Sequence, residues 1–144
     1  MRQKQNLNQD QVQKTRNRYS HIKQGRRPDL GDTYYRSGWE ANFCRYLNFL
    51  LKHKIIVKWL HEPDTFWFHD IKRGTRSYLP DFKIWEKEDS TPFYVEVKGY
   101  MDSKSRVKLK RMKKYYPDVK VVLVGKKEYK SLEKQFSALI KYWE

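Results

Sequence analysis

Two apolar, aromatic-rich runs at residues 77–86 and 92–99 constrain this chain most, because each carries charged side chains inside it. The first run contains Asp81, and the second contains Glu96 and Lys98. Removing a charge from water is costly unless the charge is paired or bound to something. The sequence therefore indicates that these three side chains are used.

The alternation of residues along the two runs predicts where the charges lie. Successive side chains of a strand point to opposite faces, so Glu96 and Lys98 share the face of Tyr94. The apolar sets on the other face are Phe82 and Ile84 in the first run and Phe93, Val95 and Val97 in the second. A hairpin register that buries both sets places Asp81 beside Glu96.

Hydrophobic periodicity predicts the order α-β-β-β-α-β-α. The helices are expected at 36–52 (with Ser37 as N-cap), 102–116 and 127–142, and the strands at 55–61 with a continuation near 65–69, 77–86, 92–99 and 119–125. The fold class is α/β, with a mixed sheet of four to five strands flanked by helices. The helix after the third strand is expected to cross over to the fourth, right-handed if that pair is parallel.

Composition indicates a polyanion-binding protein of one domain. The 144 residues carry 32 Lys and Arg against 17 Asp and Glu, a formal charge of +15, which favours nucleic acid as the partner. No run is long and apolar enough to span a bilayer, so no membrane partner and a cytoplasmic location are expected. Residues 1–32 are interpreted as a basic N-terminal arm, and residues 33–144 as the domain.

The paired acids predict a divalent metal site. Two adjacent carboxylates repel each other unless a cation lies between them, and hard oxygen ligands favour Mg2+ or Mn2+ over zinc. Glu40 is a third candidate, because it shares a helical face with the core residues Phe43 and Leu47. Lys98 beside the metal would stabilise charge on a reacting phosphate or orient water. His53, His61 and His69 have no assignable partner, and Glu62 is interpreted as structural.

"PD" at residues 80–81, followed after fourteen residues by "EVK" at 96–98, resembles the PD-(D/E)xK nuclease superfamily. The predicted element order is similar to that superfamily's restriction-endonuclease-like core, and Glu40 matches its upstream acid. The stretches "RSGWEANFCRYLNFL", "EP" at 62–63 and "EVKGYMDSKSRVKLKRMKKYYP" resemble a phage-encoded branch with Holliday junction resolvases and the bacteriophage endonuclease I type. The resemblance covers about residues 34–125.

The resemblance implies catalysis by Glu40, Asp81, Glu96 and Lys98, with Asp81, Glu96 and Glu40 on Mg2+, for which Mn2+ is expected to substitute. The expected DNA contacts are Lys104, Lys108, Lys110, Arg111 and Lys114 on the basic helix, with Arg26 and Arg27 in the arm. If the protein is phage-encoded, its location is the host cytoplasm.

The expected function is that of a Mg2+-dependent endodeoxyribonuclease, a Holliday junction resolvase cutting branched DNA as a homodimer. Two active sites at a fixed separation, as a two-fold dimer supplies, suit cleavage of two strands. Two alternatives stay open. One is a sequence-dependent or transposase-associated endonuclease of the same superfamily, and the other is a non-catalytic DNA-binding accessory protein.

Overall fold

A computed structural model describes residues 23–144 of the chain. Three helices and eight short strands are defined within this range. In chain order they are β1 (Gly25–Arg26), β2 (Tyr34–Tyr35), α1 (Gly38–Lys52), β3 (Lys58–His61), β4 (Phe66–Trp67), β5 (Ser77–Tyr78), β6 (Phe82–Trp85), β7 (Phe93–Val97), α2 (Ser103–Tyr115), β8 (Val121–Val124) and α3 (Lys126–Phe136). A single 3-10 turn, Pro28–Leu30, lies between β1 and β2.

The main sheet has four strands in the order β3-β6-β7-β8. Strands β3, β6 and β7 pair antiparallel in a meander, and β8 pairs parallel to β7. A parallel neighbour requires a crossover, which α2 provides between β7 and β8. The prediction of a mixed α/β fold is therefore confirmed.

Helix α1 forms as predicted because both its start and its apolar stripe are encoded locally. The hydroxyl of Ser37 accepts a hydrogen bond from the backbone N–H of Glu40 at 3.1 Å, which caps the first turn. Phe43 and Leu47 recur at helical spacing and are buried in the core. The helix therefore packs one face on the sheet, and this fixes the orientation of Glu40.

The sheet separates two apolar clusters. Helices α1 and α3 cover one face, where the largest cluster gathers around Phe43, Phe82, Val95 and Tyr129. Helix α2 and the β4–β5 hairpin cover the other face, where the buried residues are Phe68, Tyr78 and Met112. The charged residues of β6 and β7 thus lie on the α2 side of the sheet, opposite the larger core.

Strands β4 and β5 form a separate hairpin, whereas the sequence predicted continuous strands at this point. The chain turns at Glu62, whose φ is 46°, a left-handed conformation, and Pro63 follows. Pro80 then separates β5 from β6, because proline has no N–H to donate to a ladder. Residues 66–78 are consequently an insertion inside the meander.

Residues 25–35, which include the end of the predicted arm, contact the rest of the described chain. Arg27 is buried and donates to both carboxylate oxygens of Glu144, at 3.0 and 2.7 Å. Asp29 accepts two hydrogen bonds from Arg45 of α1, at 2.8 and 3.0 Å. The rest of the predicted arm, residues 1–22, lies outside the described part of the chain.

Helix α3 ends at Phe136, six residues before the predicted end. Tyr142 then adopts a φ of 66°, so the chain reverses and Glu144 returns to α1. There the side-chain amide of Asn42 donates to the backbone carbonyl of Glu144 at 2.8 Å. Between residues 23 and 144, no helix combines the length and apolar character required for crossing a membrane.

Candidate metal and nucleic-acid site

Asp81 and Glu96 lie opposite each other across the β6–β7 ladder. Phe82 pairs with Val95 in the antiparallel register, so one further step places Asp81 opposite Glu96. The Oδ2 atom of Asp81 accepts a hydrogen bond from the backbone N–H of Val97 at 2.8 Å. The register predicted from the apolar alternation is therefore confirmed.

The pKa of Asp81 is raised well above its ordinary value. Burial is the main cause, since only 8% of the residue is exposed, and the negative charges of Glu96 and Glu40 add to it. The hydrogen bond from Val97 acts in the opposite direction. The protein therefore compensates the charged form of Asp81 only in part.

Glu96 shares this environment but has more partners. Burial raises its pKa, while the Tyr78 hydroxyl, which donates to Oε2 at 2.9 Å, lowers it. The positive charges of Lys98 and Lys108 also favour the ionised form. The hydrogen bond from Tyr78 therefore fixes the position of one oxygen of Glu96.

Glu40 is buried, as its inward position on α1 predicted. Its Oε2 accepts the backbone N–H of Arg36 at 2.9 Å, and its Oε1 lies 2.7 Å from Nε2 of His61. Glu62 beside it forms an ion pair with Arg36. Ligand atoms of Glu40, His61 and Glu62 all lie within 4.8 Å of one another, a spacing suitable for a metal ion.

His61 is the residue that the sequence interpretation missed. Its ring packs against Tyr35 and Phe82, with centroids at 5.1 and 5.4 Å, while one ring nitrogen reaches Glu40. The only sequence signal is its position at the end of a strand, directly before Glu62. Among the described residues, the three potential metal ligands within 4.8 Å of one another are Glu40, His61 and Glu62, whereas the predicted ligands were Glu40, Asp81 and Glu96. Glu40 belongs to both groups, because its charge also acts on Asp81.

Lys98 extends the β7–β8 ladder by one residue, with its backbone N–H 3.0 Å from the carbonyl of Val124. Its Nζ lies 3.8 Å from Oδ2 of Asp102, the N-cap of α2, and its charge acts on Glu96. The next residue is Gly99, where an added Cβ would lie only 3.1 Å from the ring of Trp39, so the close approach of this ring favours glycine. Lys98 is therefore held at the edge of the acidic cluster.

The predicted DNA-contacting cations divide into three groups. Lys104, Lys110, Lys114 and Arg26 are exposed, Lys108 and Arg111 are half-buried, and Arg27 is buried. Arg111 donates to the backbone carbonyl of Thr75, which ties α2 to the inserted hairpin. The guanidinium of Arg27 is occupied by Glu144, so we remove Arg27 from the DNA-binding prediction.

No family model, curated protein or solved structure matches this chain. Four carboxylates (Glu40, Glu62, Asp81 and Glu96), the imidazole of His61 and the ammonium group of Lys98 lie at one end of the β3-β6-β7 meander. A divalent cation is the ligand that this excess of acidic oxygen favours.

The raised pKa of Asp81 predicts a pH-dependent stability in EDTA. The folded state retains this proton more strongly than the unfolded chain, whose aspartates titrate near 3.8. The contribution of Asp81 to the free energy of unfolding should therefore fall as the pH rises above this value. Asp81→Asn has no such proton to lose and should be more stable than the wild type at neutral pH. Urea unfolding of both proteins between pH 4 and 7.5 tests this, and an advantage of the variant that is the same at every pH would contradict it.

Proposed function

We propose that this protein is a Mg2+-dependent endodeoxyribonuclease that cuts branched DNA as a homodimer, a Holliday junction resolvase. The observation that carries the proposal is the placement of Asp81 opposite Glu96 on a buried hairpin, with Lys98 two residues beyond Glu96. The resemblance of "PD" and "EVK" to the PD-(D/E)xK pattern supports the same conclusion. The formal charge of +15 supports a polyanionic substrate.

We further propose that the fold is of the restriction-endonuclease-like type. Helix α1, the meander β3-β6-β7, the crossover helix α2 and the parallel strand β8 follow one another in the order expected for that core. The β4–β5 hairpin is then an insertion before the strand that carries Asp81. This interpretation is consistent with the acids lying on the two central strands.

The residues fit a magnesium ion on chemical grounds. Asp81 and Glu96 each use one oxygen in a hydrogen bond, and within residues 23–144 the second oxygen of each has no hydrogen-bond donor. Such free, hard oxygens are the ligands that Mg2+ takes in phosphoryl-transfer sites. When bound, such an ion would polarise the phosphate and help to activate the attacking water.

The chain's own residues would orient the reactants. Lys98 supplies positive charge where the phosphate gains negative charge in the transition state. Glu40 is held by His61 and by the backbone of Arg36, so its carboxylate has a fixed direction beside Asp81. Tyr78 does the same for Glu96. The exposed cations of α2, which begins five residues after Lys98, would bind the DNA backbone near the site.

A cleavage assay on a mobile four-way junction and a matching linear duplex tests the proposal. Cleavage of the junction is expected with Mg2+ and Mn2+ and none in EDTA, with Ca2+ as a non-catalytic comparison. Preference for the duplex would favour a sequence-dependent endonuclease. Binding of both DNAs without cleavage in Mg2+ or Mn2+ would favour an accessory DNA-binding protein. Sedimentation analysis of the same protein measures its oligomeric state and so tests the proposed homodimer.

His61→Phe should lower the cleavage rate about 10- to 100-fold, the usual effect of removing a group that orients a metal-site carboxylate. The phenyl ring keeps the packing against Tyr35 and Phe82 and removes only the nitrogen that contacts Glu40. The rate at saturating DNA and the Mg2+ dependence measure the effect. His53→Phe serves as the control, because His53 caps the far end of α1. Equal rates for wild type and His61→Phe would contradict the role of His61.

A further inference from the structure

The inserted hairpin contains an open cavity of about 260 Å³ that the proposed chemistry does not use. Its lining consists of Trp67, Phe68, His69, Ile71 and Arg76. Three of these five side chains are rings, and one is a guanidinium. Drug-sized ligands occupy sites of about 300 Å³ or more, so this cavity suits a single planar ring system.

The walls of the cavity are held by contacts on the protein side. Phe68 is buried against Tyr115 of α2, with ring centroids 5.4 Å apart. The hydroxyl of Tyr116 donates to the backbone carbonyl of Trp67 at 2.7 Å, and Arg111 donates to that of Thr75. Trp67 itself remains 53% exposed. A large aromatic side chain is thus presented to solvent from a braced backbone.

The charge around the cavity favours an anionic ligand. Residues 69–76 carry Lys72, Arg73 and Arg76 against the single acid Asp70. Lys72 and Arg73 are exposed at the hairpin tip, where Gly74 has a φ of 76°. A membrane-inserting tip would carry apolar side chains, and this one carries Lys, Arg, Gly and Thr. Cations beside an aromatic pocket suit a phosphate backbone with an unstacked base.

The hairpin is also connected to the acidic cluster. Tyr78, the last residue of β5, donates its hydroxyl to Glu96, and Asp81 follows three residues later. Helix α2, with its exposed lysines, packs against β5. A DNA strand bound at the hairpin would therefore continue along the exposed lysines of α2, next to the proposed metal site.

We propose that the β4–β5 hairpin is a nucleic-acid anchor: the Trp67–Arg76 cavity receives one unpaired base, and Lys72 and Arg73 contact the adjoining phosphates. The ligand class is single-stranded or branch-point DNA. This inference rests on the proposed function, because both take DNA as the ligand. It would explain a preference for branched over fully paired DNA, because a duplex keeps its bases stacked.

Binding of the full-length protein in EDTA tests the anchor without turnover. The probes are a single-stranded oligonucleotide containing 2-aminopurine, a four-way junction and a linear duplex. Trp67→Ala should weaken binding of the single strand about tenfold and abolish the change in 2-aminopurine fluorescence, whereas Trp67→Phe should retain most of both. Duplex affinity should be the same for both variants and the wild type.

Lys72→Gln/Arg73→Gln should weaken binding of all three DNAs and reduce the slope of log affinity against log salt by about 1.8 for duplex DNA and about 1.4 for the single strand. The matched control is Lys87→Gln/Lys120→Gln, which removes the same charge from the opposite end of the sheet. Equal losses in the two double variants, or a Trp67→Ala protein that binds the single strand like the wild type, would overturn the anchor. Cleavage is scored separately in Mg2+, so an inactive wild type would count against the nuclease proposal alone.

Discussion

Asp81→Asn should lower the rate of Mg2+-dependent DNA cleavage by about 10²- to 10³-fold or more. The substitution keeps an oxygen that can accept the hydrogen bond from Val97, but it removes the charge that a metal ion requires. Loss of metal-assisted charge stabilisation is worth several kcal/mol in the transition state, and each 1.36 kcal/mol corresponds to about a tenfold change in rate.

Single-turnover cleavage of a four-way junction by Asp81→Asn measures this effect. DNA affinity in EDTA should remain close to that of the wild type, because the substituted residue is buried and lies outside the cationic surface. The control is Lys87→Gln, because Lys87 lies in the exposed turn after β6, at the opposite end of this strand from Asp81. A rate within threefold of the wild type would exclude Asp81 from the proposed metal site.

Glu144→Gln should lower the free energy of unfolding by about 3 kcal/mol. The carboxylate of Glu144 accepts hydrogen bonds from Arg27 and Arg45, whose side chains are only 10% and 5% exposed. Removing one member of a buried ion network leaves the other charges without compensation, which costs about 3–5 kcal/mol for fully buried groups. The lower end applies because Glu144 is partly exposed and Arg45 keeps Asp29.

Urea unfolding of Glu144→Gln measures this loss. Glu133→Gln is the matched control, because its ion pair with Lys130 lies at the surface of α3, where the two side chains are 32% and 54% exposed. Exposed pairs of this kind contribute about 0–1 kcal/mol. If the two variants unfold at the same urea concentration, the network around Glu144 is not a major source of stability.

The parts of the fold that the sequence predicted depend on local patterns. Ser37 and the spacing of Phe43 and Leu47 define α1, and the alternation around Val95 defines the β6–β7 register. The separate β4–β5 hairpin was missed, because its aromatic residues look like those of a continuing strand. The break depends on the left-handed turn at Glu62, and glutamate gives no local signal for that conformation.

The candidate site was predicted in part for the same reason. Asp81, Glu96 and Lys98 lie within one hairpin, so short-range alternation relates them. His61 and Glu40 come from different elements, 21 residues apart, and Arg27 and Glu144 are 117 residues apart. Pairs of this kind depend on how helices and strands pack, which no local periodicity encodes.

Helix α1 links the acidic cluster to the stability of the chain's far end. The charge of Glu40 raises the pKa of Asp81, and half a turn later the buried side chain of Asn42 binds both the N–H and the C=O of Glu144. Local unfolding of residues 137–144 would break these hydrogen bonds and therefore shift α1, the helix that positions Glu40. On heating, the proposed cleavage activity should consequently be lost at a lower temperature than the one at which the core unfolds.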